Sequence, residues 1–178
     1  HDLAVEKKYS KIFAKIPFAA TEAFVKAGYE KEAEIPGFYK QEMDAWFMSR
    51  FYTDDRKMLD QDTRTRISHV RQTAIEKAVS SETTRLPNQF FIRELLPMDA
   101  GKLSELYKLV FPSYPFPIYD PAYIKSTMQT HVRYYGVFAG GKLVAASSAE
   151  MDVENGNAEM TDFATHPDYR GSGLALYL

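Results

Sequence analysis

AEMTDFATHPDYRGSGLA, residues 158–175, decides how the rest of the chain is read. AEMTDFAT has the content of a buried strand, and it runs into a glycine-rich turn that opens a helix. Gly171 and Gly173 remove side chains where backbone N–H groups must come close to a ligand, and the unpaired amides of a helix start favour an anion. The turn is therefore expected to hold phosphate. Two other phosphate loops fail on residues. A dinucleotide fingerprint counted from Gly171 needs a small third residue where Leu176 stands, and no Gly-Lys-Ser/Thr occurs anywhere.

Upstream of this stretch, residues 88–178 read as a β-α-α-β-β-β series. FFIREL from Phe90 is a strand, PMDAGKLSELYKLVF is a helix with Asp99 in its first turn, and residues 121–130 form a second helix after the proline-rich loop FPSYPFPIYDP. Residues 134–139 and 142–153 are strands around a Gly140-Gly141 hairpin turn, and Asn155-Gly156 turns into the last strand, 157–165. Residues 53–87 hold no aromatic side chain, and Ile67, Val70, Ala74 and Ala78 at helical spacing predict an amphipathic helical linker. Residues 1–52 predict a strand at YSKIFAKIP, a helix over 19–27 ended by Gly28, and strands over 29–35 and 45–52 separated by a Pro36-Gly37 turn. The expected organisation is a β-α-β-β module over 1–52, a linker over 53–87 and an α+β domain over 88–178.

Composition narrows the function classes. The 178 residues are 45% hydrophobic and 26% charged, enough apolar content for a sizeable core. A net charge of −2 supplies no basic field of the kind nucleic acid or an anionic membrane needs. No apolar run approaches the ~18 residues of a membrane span, and no signal-peptide pattern opens the chain, so a cytoplasmic protein is expected. With no cysteine, disulfides and thiolate metal sites are excluded, and His1, His69, His131 and His166 show no metal-ligand spacing. The chain starts at His1 and reaches Leu178 two turns into the expected helix, which reads as a fragment of a longer protein.

From Arg170 the string R-G-S-G-L-A fits R/Q-x-x-G-x-G/A and resembles the acetyl-CoA pyrophosphate loop of the GNAT superfamily of N-acetyltransferases. The element order of residues 88–178 resembles the N-terminal half of that fold, a mixed, mostly antiparallel sheet flanked by helices. Residues 1–52 resemble its opposite half. There the family often carries a tyrosine four residues before a glycine that protonates the departing thiolate; here the position is Phe24, before Gly28, so this half is expected to be a degenerate, non-catalytic module. KIFAKIP, AGYEKEAEIPGFYK, DAWFMSRFY and TDFATHPDYRGSGLA together are similar to the β-lysine N-acetyltransferases. That resemblance implies acetyl transfer from acetyl-CoA to the terminal amine of β-lysine, a small-molecule acceptor, in the making of a compatible solute. A different amine acceptor, such as a polyamine, an aminoglycoside or a protein N-terminus, and a non-catalytic acyl-CoA sensor are the alternatives.

An amine with a pKa near ~10.4 is neutral in about one molecule in 2,500 at pH 7, and only that form attacks a thioester, so a base is required. Glu159 is the first candidate and Asp162 the second; an ordinary strand-edge carboxylate is the alternative for both. Strand alternation puts the two on opposite faces unless a bulge intervenes. The resemblance implies that backbone groups of Phe163, Ala164 and Thr165 pair with the pantetheine arm. It implies likewise that Arg170, Gly171, Ser172, Gly173, Leu174 and Ala175 take the pyrophosphate, and that the general acid lies beyond Leu178. For the acceptor, the loop carrying Tyr114 and Tyr119 is expected to act as a lid, Glu150, Asp152 and Glu154 as a cation-attracting wall, and Arg133 or Arg93 as partner of a carboxylate. No metal is expected.

Overall fold

The computed structural model describes residues 1–80 and 85–178, which fall into two compact units, His1–Thr84 and Arg85–Leu178. Part of the linker expected over 53–87 lies outside the described residues. In the first unit, helix α1 (Asp2–Glu6) precedes strand β1 (Lys11–Pro17), helix α2 (Thr21–Lys26), and strands β2 (Glu30–Tyr39) and β3 (Met43–Phe51). The sheet order is β1-β3-β2, antiparallel throughout. Gly28 ends α2 as expected: at φ +82° it lets its own amide reach Val25 O and that of Tyr29 reach Phe24 O, which satisfies two orphan carbonyls. Phe24 is a packing residue, with its ring 5.0 Å from that of Tyr29 beside buried Ile16 and Met48.

One turn falls elsewhere than expected. β2 runs through Pro36 and Gly37, and the chain reverses at Lys40 and Gln41, both at positive φ. The strand tolerates this because it is an edge: Pro36 removes no ladder donor needed by a neighbour, and a register irregularity between Ile35 and Tyr39 takes up Gly37. After the short helix α3 (Asp54–Lys57), helix α4 (Gln61–Ser80) carries the predicted apolar spacing, but Ile67 and Val70 are exposed.

The second unit holds strand β4 (Phe90–Glu94), helices α5 (Ala100–Val110) and α6 (Pro121–Met128), and strands β5 (Val132–Ala139), β6 (Lys142–Asp152) and β7 (Asn157–Thr165). Sheet order β4-β5-β6-β7 is antiparallel at every ladder. α6 begins where Asp120 caps the amide of Ala122 at 2.8 Å and Pro121 takes the first helical position. Leu103, Leu106 and Tyr107 of α5 and Ile124 of α6 pack on Val132, Tyr134, Phe138 and Ala146 to form the main core; each large side chain so buried contributes roughly 1.5–3 kcal/mol. Phe90, Val137, Val144, Ala145 and Leu174 form a smaller cluster.

The buried Tyr107 hydroxyl has no hydrogen-bond partner among the described residues, and burial pushes its pKa up. An unpaired buried hydroxyl costs about 1–3 kcal/mol. Tyr107→Phe is therefore expected to raise the thermal midpoint, as differential scanning calorimetry would show.

Candidate active site

The site is built on an interruption of β7. Thr161 pairs with Ser148 and Ala164 with Ala146, so that Asp162 and Phe163 together oppose Ser147. Asp162 sits at φ +54°, a left-handed conformation that aspartate tolerates better than most residues. This bulge turns Asp162 to the face of Thr161, the helix-covered side of the sheet. There its Oδ2 accepts from Ser148 Oγ at 2.8 Å, and its Oδ1 accepts from the Tyr114 hydroxyl.

Beside Asp162 lies a cavity of about 240 Å³, with Tyr114, Tyr123, His131, Tyr134 and Glu150 in its wall. This is smaller than the roughly 300–1,000 Å³ of pockets for drug-sized ligands, which suits a small molecule. Glu150 reaches the cavity because it pairs with buried Val132, and paired residues share a face. Glu159 pairs with Glu150 across the β6–β7 ladder; it is exposed on the edge strand and forms no part of the cavity wall. Two carboxylates directly opposite repel, an arrangement that a cation relieves.

The Tyr114 hydroxyl ties the proline-rich loop to Asp162. Burial, and then its hydrogen bond to the carboxylate, push the phenol up to about 12. Since the folded value lies above the unfolded one, this contact stabilises the protein fully below pH ~10 and is lost as pH rises toward 12. Urea denaturation at pH 9 and pH 11.5 should show wild type losing more stability than Tyr114→Phe over that interval.

Other expected contacts fall elsewhere. The Tyr119 hydroxyl donates to Phe111 O at 2.8 Å and so fastens the loop to itself. Arg133 pairs with Ala149, one residue off the register of Val132 and Glu150; its Nη1 donates to Met128 O at 3.3 Å and its Nε lies 3.9 Å from Glu94, and it does not line the cavity. Arg93 is committed to Asp99 through two hydrogen bonds of 2.7 and 2.8 Å. Of the expected acidic wall only Glu150 lines the cavity; Asp152 caps the turn at Asn155, and Glu154 lies beyond β6. His131, for which the sequence suggests no role, does line it. It stands just before β5, outside the strand's alternation, so neither register nor spacing from other histidines marked it.

β7 has one neighbour, β6, which leaves its other edge open among the described residues. Ala164 is buried, as a core position requires, whereas the Phe163 side chain is 44% exposed. In the loop after β7, Gly171 and Gly173 take φ +79° and +68°, and the amides of Gly171, Ser172 and Gly173 donate to no acceptor among the described residues. A Cβ at Gly171 would meet nothing within 4 Å, so this backbone lies open to a ligand. The residues fit an anionic pyrophosphate. In place of the expected α-helix, Leu174–Leu176 form a single 3₁₀ turn, closed by the amides of Leu176 and Tyr177 on Gly173 O and Leu174 O. Arg170 folds back, its Nε 3.4 Å from Thr165 O. Near His166, at the end of β7, a second cavity of about 470 Å³ is lined by Lys102 and Lys142.

Among the described residues no group of acidic, histidine or cysteine side chains is arranged to hold a metal ion, and no helix is long and apolar enough to cross a membrane. Residues 103–178 match the model of the family described as "Acetyltransferase (GNAT) family". Over 175 residues the chain is 41% identical to β-lysine N(6)-acetyltransferase of Methanococcus maripaludis, covering 97% of this chain and 62% of that protein. It is 36% identical over 166 residues to N-acetyltransferase YodP of Bacillus subtilis, covering 91% and 56%. A β-lysine N(6)-acetyltransferase of Methanosarcina mazei is 31% identical over 156 residues, covering 88% and 56%. The chain thus spans between 56% and 62% of the length of these curated relatives.

Proposed function

We propose that the protein transfers the acetyl group of acetyl-CoA to the terminal (N6) amine of β-lysine, a reading supported by the match of residues 103–178 to the acetyltransferase (GNAT) family model and by the curated relatives. One observation carries this reading. Asp162, turned by a bulge in an edge strand that runs straight into the glycine loop, lines a small acidic cavity together with Glu150. A proton acceptor thus lies on the strand that leads to the glycine loop, and a cation-attracting carboxylate on the strand beside it. The 41% identity to a β-lysine N(6)-acetyltransferase supports the choice of acceptor.

When bound, acetyl-CoA supplies the thioester carbonyl. The loop from Arg170 to Ala175, through the free amides of Gly171, Ser172 and Gly173, would hold its pyrophosphate, while Lys102 and Lys142 make the neighbouring cavity favourable to anions. Phe163, Ala164 and Thr165 offer an open strand edge to the amide-bearing pantetheine arm. Asp162 takes the proton from the acceptor ammonium, Ser148 and Tyr114 hold its carboxylate in place, and Glu159 and Glu150 draw the cation in. The neutral amine is then the nucleophile.

The reading is tested by the product. The full-length protein with acetyl-CoA and β-lysine is expected to yield the N6-acetyl isomer by NMR; acetylation at N3 alone would refute the assignment. Gly173→Ala forces alanine into the left-handed region at a cost of about 1–2 kcal/mol. It should weaken acetyl-CoA binding, measured calorimetrically, more than tenfold.

A further inference from the structure

Of the ionisable side chains in the wall of the acceptor cavity, His131 is left unused by the chemistry above and Glu150 is given only a general attraction for cations. Among the described residues neither Glu150 nor His131 forms an ion pair or a side-chain hydrogen bond, and they do not pair with each other. Register holds them at one end of the cavity. Val132 pairs with Glu150, and the His131 carbonyl accepts from the amide of Met151 at 2.8 Å. Asp162 occupies another part of the wall, bonded to Tyr114 and Ser148.

Among the described residues no lysine or arginine lines the cavity, and its carboxylates alone would repel an acceptor that bears a carboxylate. The hydroxyls of Thr127 and Tyr134 bond to each other at 2.9 Å, and that of Tyr114 is given to Asp162. Among the described residues that line the cavity, His131 is the one whose side chain carries a nitrogen donor, since imidazole in either protonation state presents at least one N–H. We propose that His131 and Glu150 read the zwitterionic end of the acceptor: Glu150 receives its internal ammonium and His131 donates to its carboxylate, which leaves the terminal amine for Asp162. The inference rests on the β-lysine reading and adds the expectation that a carboxylate-free diamine is a poorer acceptor.

The test is a cycle on the full-length protein, following thiol release from acetyl-CoA with β-lysine and with 1,4-diaminopentane, which is β-lysine with its carboxylate replaced by hydrogen. Wild type should lose roughly tenfold or more in kcat/KM when the carboxylate is removed, the worth of one charge-assisted hydrogen bond. His131→Ala should lose a similar factor with β-lysine, and the two losses should not multiply when combined. His131→Gln, which keeps an N–H donor, should recover part of the loss. Glu150→Gln should weaken both acceptors. Equal losses for His131→Ala with both acceptors, or none with β-lysine, would overturn the role of His131 while leaving the β-lysine reading intact. Failure of wild type to release thiol with β-lysine would instead remove that reading.

Discussion

Asp162→Asn is expected to lower kcat by about 10²–10⁴, the usual contribution of a positioned base, without unfolding the protein. The substitution isolates the proton transfer because asparagine shares aspartate's tolerance for positive φ, so the bulge at +54° survives. Its amide oxygen still accepts from Ser148 or Tyr114, whereas alanine would leave both hydroxyls unpaired. Circular dichroism should superimpose on wild type. If kcat is unchanged, the base is Glu159, which lies on the same face of the same strand, and Glu159→Gln should then carry the loss.

Asp99→Ala should cost about 3 kcal/mol of stability, the lower end for breaking a buried ion pair, because Arg93 is partly exposed. Asp99 is 3% exposed, yet it accepts both terminal nitrogens of Arg93 and, at 2.9 Å, the amide of Leu96 that opens the turn into α5. Removing the carboxylate strands the guanidinium over the Phe138 ring and leaves the Leu96 amide without its cap. Arg93 holds the Asp99 carboxyl below the usual aspartate range. The contribution is therefore complete above pH ~4 and fades as pH falls through the lowered value. Urea titrations should show a large gap between wild type and variant at pH 7, and a narrowing one in acid.

The order of elements was readable because each signal was local. Gly140-Gly141 and Asn155-Gly156 mark turns whose positive φ only a few residues accept, and Asp120-Pro121 marks a helix start. The site was less readable because it depends on irregularities that no local signal announces. Counting back from the Gly140-Gly141 turn without interruption would set Val132 opposite Ala149. A register shift between Val137 and Phe138 sets it opposite Glu150 and so brings that carboxylate into the cavity. The second bulge uses an aspartate where glycine would have been the visible marker, so alternation alone separated Asp162 from Glu159, and the structure joins them on one face. Pro36-Gly37 misled for the opposite reason, since a strong turn signal is harmless inside an edge strand.

Acetyl transfer to β-lysine is checked most directly by the rate of thiol release from acetyl-CoA by the full-length protein with β-lysine, α-lysine and spermidine side by side. A kcat/KM for β-lysine at least tenfold above the other two is expected. Equal rates with all three, a preference for spermidine, or acetyl-CoA binding without turnover of any amine would contradict it.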